Sequence, residues 1–218
     1  MLPILTLPNQ RTRIPSGSKR IGSGITFSWG HGFIQIAANL DVSARTRELV
    51  QDGVDIVASS VMAHWNKTFE DGFRIACVPY VLPAATPPDP NRTHIFIGDK
   101  NSTPYVIRPT PVTPYYSYMS LAPADLNSWL PAHEFGHLLG LGDRYHESFS
   151  SAARDTCNFV LNGFCGGQRH TVPQQGWQQN IMANAWGVLE RRNVDELLAL
   201  HATVTTMPGG PLLLGGGT

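Results

Sequence analysis

The sequence predicts an α+β domain: a small mixed sheet with a long helix, a second helix carrying a histidine motif, and a C-terminal helix. Three observations predict it. Short alternating runs such as ITFSW and FIQIAANL read as strands in the first half of the chain. Val50, Val54, Val57, Val61 and Trp65 repeat at helical spacing and mark one long helix. The run HEFGH at 133–137 places two histidines four apart, with Pro131 in the first turn and Gly140 and Gly142 beyond.

The elements follow in order. Residues 1–23 are rich in Pro, Gly, Ser, Arg and Lys and read as a linker or N-terminal arm; 24–207 form the domain, and 208–218 a flexible tail. Gly30-His31-Gly32 turns one strand into the next. Asp41 or Ser43 is the expected cap of the long helix. Phe73, Ile75 and Cys77 alternate as a strand, PAATPPDPN is a loop, and 93–98 and 105–108 are short strands. Tyr115–Leu121 is a further strand, expected at a sheet edge because prolines precede it. The motif helix spans about 128–141, and 144–180 lacks periodicity and reads as irregular. The last helix is expected to start near Asn193, with Glu196 closing a capping box and Val194, Leu197, Leu198, His201 and Thr205 on one face.

The 218 residues suit one domain. Lys plus Arg and Asp plus Glu number 16 each, so the net charge is zero and gives no footprint for nucleic acid or an anionic membrane. No apolar run is long enough to span a bilayer. MLPILTLPN, broken by Pro3 and Pro8 and without leading basic residues, is a poor signal peptide, so secretion would need another carrier. Cys77 reads as a core thiol, while Cys157 and Cys165 flank a short loop and either pair or stay free.

Residues 133–143 read HEFGHLLGLGD. Four residues is one helical turn, so His133 and His137 can offer two imidazoles to one metal ion. Glu134 lies beside that pair, where a carboxylate can accept a proton from water and return it to a leaving amine. A catalytic zinc needs a third protein ligand and an open fourth position. Gly140 permits a sharp turn, which brings Asp143 back as that third ligand; His146 and Glu147 are rivals. From this composition the full pattern arises by chance in roughly one sequence in ten thousand or fewer. Tyr145 and Tyr118 are candidate oxyanion donors, though packing is the favoured reading of each, and His201 reads as a core histidine. The remaining histidines, His31, His64, His94 and His170, have no partner spacing.

HEFGHLLGLGD resembles the metzincin zinc motif, in the form with aspartate last. Metzincins carry a methionine turn beneath the metal, and Met182 in QQNIMANAW sits where that turn is expected. The order of elements also fits. HEFGHLLGLGDRYHE, with the chain's length, further resembles the C-terminal metallopeptidase domains of type VI secretion VgrG spike proteins. The resemblance implies a Zn2+-dependent antibacterial effector, joined in cis to the secretion spike, delivered into the periplasm of a target bacterium and met there by a cognate immunity protein.

The expectation is therefore zinc-assisted hydrolysis of a peptide bond in a protein or peptide substrate, with Glu134 moving the proton and an extended substrate added beside YYSYMSL. Two alternatives stand beside it: a zinc-stabilised partner-binding module, and a hydrolase of cell-wall peptide cross-links.

Overall fold

A computed structural model of the chain describes residues 16–85, 89–100, 104–108, 117–149, 169–184 and 187–202. Over these the protein is mixed α and β, with a mixed sheet and three α-helices. The sheet has eight strands, β1 (Gly17–Gly22), β2 (Ile25–Gly30), β3 (Phe33–Ala44), β4 (Lys67–Thr68), β5 (Arg74–Pro83), β6 (Thr93–Ile97), β7 (Tyr105–Ile107) and β8 (Tyr118–Leu121). The helices are α1 (Arg47–Trp65), α2 (Leu130–Leu138) and α3 (Arg191–His201), and a 3-10 turn at Pro123–Asn127 leads into α2.

Four strands in the order β5–β3–β6–β8 run parallel. A parallel pair needs a long crossover, and α1 supplies the one from β3 to β5. On the far side β7 pairs antiparallel with β8 and, among the described residues, is the edge of the sheet. The β1–β2 hairpin is added antiparallel to the first half of β3, ahead of the stretch that pairs with β6.

Alternation along β3 sends Ile34, Ile36, Ala38, Leu40 and Val42 into the core. Helix α1 meets that face through Gly53, Val57, Val61 and Trp65. Gly53 has no side chain where Val42 and Ile97 press closest, so the helix lies directly on the sheet. Phe135 of α2 meets Trp65 edge to face at 5.8 Å, a contact that contributes about 0.5–1.5 kcal/mol beyond area burial. Val194, Leu197 and Leu198 of α3 close the same cluster.

Several elements differ from expectation. Residues 17–22, assigned to the arm, form edge strand β1, and Trp29 packs over the bare Cα of Gly17. The long helix is capped by Thr46, whose Oγ1 accepts from Leu49 N at 3.3 Å, and not by Asp41 or Ser43. Strand β3 runs on through both residues, and Asp41 is buried in an ion pair with Arg92. Tyr118–Leu121 is not an edge, because β7 covers its outer side. The segment 144–180 contains a two-stranded antiparallel sheet, β9 (Tyr145–Phe149) with β10 (Arg169–Pro173). Helix α3 starts at Arg191 after Glu190, and Asn193 is its third residue, with Oδ1 accepting from Glu190 N at 3.0 Å. Glu196 instead pairs with Arg144. Tyr115, Tyr116, Cys157, Cys165, Thr205 and the tail 208–218 lie outside the described residues.

Candidate metal centre

The site is built on α2, a helix buried on nearly every side. Its entry is fixed by side chains: Asp125 accepts from Ala122 N at 2.7 Å, and Ser128 Oγ accepts from Leu130 N at 3.1 Å. Trp65, the last residue of α1, donates from Nε1 to Ala132 O at 2.9 Å and ties the two helices together. His133 and Glu134 are buried, at 2% and 5% exposure.

The two imidazoles meet as helical spacing requires. Their Nε2 atoms are 3.1 Å apart, with ring planes at 90°. His133 Nδ1 lies 3.0 Å from Ile181 O, and His137 Nδ1 lies 2.9 Å from Leu141 O. A carbonyl only accepts, so each Nδ1 holds the ring's proton and a neutral ring presents a bare Nε2 lone pair. Asp143 Oδ1 completes a triangle, 3.3 Å from His133 Nε2 and 3.1 Å from His137 Nε2. With both rings neutral, three lone pairs thus converge on one point, an arrangement that could hold a cation.

Donor set and spacing fit zinc. Tetrahedral zinc with bonds near 2.0–2.2 Å separates its ligand atoms by about 3.3–3.6 Å, and the observed triangle is 3.1–3.3 Å on a side. Among the described residues His133, His137 and Asp143 are also the group of three brought together in this way. The rival His146 is exposed on β9 and outside the group; the Glu147 side chain lies outside the described residues.

Without a cation one ring must take a second proton, and the titration directions agree. Burial alone would lower the His137 pKa, but hydrogen bonds to Asp143 and the Leu141 carbonyl, with the charges of Asp143 and Glu134, push it up. Burial raises the Asp143 carboxyl, but its bonds to His133 and His137 and the charges of both rings hold it well below the usual carboxylate range. Glu134 moves the other way. Burial raises it, the His137 and His133 charges oppose, Asp143 and Asp125 add to the rise, and the net direction is up. A carboxylate shifted upward is a stronger proton acceptor than an ordinary one.

Asp143 arrives by a turn at Gly140, whose φ of 105° favours glycine. The following residue fixes its place. Arg144 N donates to Met182 O at 2.8 Å, and Arg144 Nη2 donates to Glu196 Oε2 at 2.6 Å on α3.

Met182 is fully buried under α2. A Cβ on Gly136 would lie 2.5 Å from its Sδ, so helix and turn touch because residue 136 is glycine. The turn is locked by Asn180, itself fully buried: Oδ1 accepts from Met182 N at 2.9 Å, and Nδ2 reaches Glu190 and Asn193 at 2.7 Å each. That lock sets the Ile181 carbonyl, and through it the His133 ring. Asn180, Ile181 O and Leu141 O went unforeseen; a backbone carbonyl has no residue-type signature, and QQN reads as ordinary loop.

The open side of the triangle faces a cleft of about 320 Å3. Glu134, His137, Asp143 and Tyr145 form one wall; Pro104, Tyr105, Val106 and Arg108, from edge strand β7 and its flanks, form the other. Tyr145 stacks near His133, with ring centroids 6.1 Å apart. Tyr118 does not line the cleft; it stacks on His94 at 5.8 Å. His201 is held by Leu139 O at 2.7 Å, as a packed histidine. No protein family, curated protein or solved structure matches the chain.

Proposed function

We propose that the protein is a zinc-dependent peptidase with a metzincin-like domain, in which His133, His137 and Asp143 hold the metal and Glu134 moves the proton. The observation that carries this reading is the triangle of bare acceptor atoms, with a buried carboxylate of raised pKa beside it on the cleft wall. Zinc in a three-ligand site lowers the pKa of water to about 7 and polarises a carbonyl. The chain's own residues do the rest. Glu134 accepts the proton as water adds to the scissile carbonyl, then delivers it to the departing amine as the C–N bond breaks. Tyr145, which lines the same cleft, is the candidate donor to the developing oxyanion. The outer edge of β7, unpaired among the described residues, offers backbone N–H and C=O groups to an extended substrate, the role expected earlier of β8.

The order long helix, strands, histidine helix, methionine turn and final helix supports the metzincin reading. Two imidazoles and a carboxylate also suit ferrous iron; Glu134 favours hydrolysis, and elemental analysis of the purified protein separates the two metals. No helix among the described residues is long and apolar enough to cross a membrane. Spike delivery, a periplasmic target and an immunity partner rest on the sequence resemblance alone. Toxicity on export to a bacterial periplasm, lost with Glu134→Ala, is the measurement that checks them.

Glu134→Ala should keep zinc and thermal stability and lose hydrolysis of denatured protein. Retained hydrolysis overturns the mechanism. A partner-binding module would instead keep its full biological effect in Glu134→Ala while His133→Ala unfolds it. Purified sacculi in place of denatured protein separate the cell-wall substrate.

A further inference from the structure

Edge strand β7 brings one cation to the cleft. Tyr105 and Val106 of β7 and Arg108 just beyond it all line the cleft, and Arg108 is exposed with its head group turned to the end of α2. Arg108 Nη1 donates to Gly140 O at 3.0 Å, which anchors the guanidinium one turn beyond His137. That bond uses one of the five N–H donors of a guanidinium. Among the described residues no carboxylate pairs with Arg108, and of those lining the cleft it alone is Lys or Arg. The acids nearby are committed: Asp143 to the two imidazoles, and Glu134 to proton transfer on the reading above.

We propose that Arg108 selects substrates bearing a carboxylate next to the scissile bond, as an acidic side chain or as the C-terminus of the chain being cut. A planar guanidinium pinned at one nitrogen is pre-oriented, and its remaining donors match a carboxylate in fork geometry. An extended chain along the outer edge of β7 presents alternate side chains toward the cleft, so one position falls beside Arg108. The position has a simpler use, since a cation beside the last carbonyls of a helix is favourable in itself. The test separates the two by removing the charge with Arg108→Gln and reading Tm beside cleavage, since a cation that only capped the helix would lower Tm without moving substrate preference.

The substrate-class inference rests on the hydrolytic reading, and two readouts keep them apart. In the first, the zinc-loaded protein cleaves a degenerate peptide library, and the cut sites are read by mass spectrometry. Matched pairs follow: internal Glu against Gln with an amidated end, and a free carboxylate against an amide in a neutral peptide. The wild type should favour one carboxylate pair by about tenfold in kcat/KM, and the pair that responds names the source. Arg108→Gln should reduce that ratio to about two or less at unchanged Tm, and Arg108→Glu should turn it toward Lys peptides. In the second readout, the same pairs bind to zinc-loaded Glu134→Gln and are followed by fluorescence anisotropy. Carboxylate-dependent binding lost in Arg108→Gln upholds the inference even if nothing is cut, in which case hydrolysis alone falls. Equal binding of acid and amide, or a preference that survives Arg108→Gln, overturns it whatever the cleavage result.

Discussion

The two histidines and the aspartate of one site are supported in opposite ways. His133 and His137 stand on a helix whose Phe135 and Gly136 pack against Trp65 and Met182, and their rings are steered by carbonyls at 2.9–3.0 Å. Asp143 is 45% exposed, on a turn, and is held through its neighbour Arg144 by polar bonds to Met182 O and Glu196. One half of the site is set by steric packing, which leaves almost no alternatives. The other is set by a few polar contacts, which water and salt can replace. The histidine half should therefore fail abruptly and the aspartate half by degrees.

The largest break is at the histidines. His133→Ala should weaken zinc binding at least about a hundredfold, beyond the 10–100-fold typical of an outer hydrogen-bond partner. Chelator competition measures it, and zinc held at wild-type affinity would remove the site. Gly136→Ala strikes the packing itself. Its methyl would lie 2.5 Å from Met182 Sδ and 3.1 Å from the Trp65 ring, so helix or turn must shift. Overpacking of this kind costs about 1–3 kcal/mol, or several degrees of Tm at about 2–4 °C per kcal/mol. An unchanged Tm would show that α2 and the Met182 turn are not in contact.

Arg144→Ala probes the softer half. It should weaken zinc binding by about tenfold, with a smaller change in Tm than Gly136→Ala. A larger change in Tm would show that the arginine belongs to the core and not to Asp143. The smallest effect is a pH dependence of the chelated protein, read as Tm of wild type minus Asp143→Asn. The folded His137 pKa is raised, so its contribution is complete below the ordinary value of 6.5 and is lost as pH rises through the folded value. The folded Asp143 pKa is depressed, so its contribution is present above 3.8 and is lost as pH falls through the folded value. The difference should be largest between pH 3.8 and 6.5 and shrink on both sides. A flat difference would show that the carboxylate and the rings do not interact.

The same division governs what could be read from the sequence. The histidine pair is local, since helical spacing alone brings residues four apart together, and the apolar repeat of α1 was legible for the same reason. Asp143 was reachable because Gly140 marks the turn. The supports were not, because they are long-range and partly backbone: Ile181 O to His133, Asn180 to Glu190, Arg144 to Glu196. Misread boundaries share a cause. Asp41 looked like a helix cap because a charge in a strand centre is unusual, and only Arg92, far along the chain, explains it. Strands β1 and β9–β10 escaped because GSKRIG, YHESF and RHTVP carry polar residues on both faces.

Strand β7 has a consequence for colloidal behaviour. Strand backbone left unpaired among the described residues, beside exposed Tyr105 and Ile107, is the kind of surface that recruits another copy of the same chain. Here the hazard is kept small: three residues of strand, bracketed in the sequence by Pro104 and Pro109. Replacing either proline by a β-branched residue would lengthen the sticky segment, and an occupied cleft would shield it. Solubility of such a variant should accordingly rise when a peptide ligand is added.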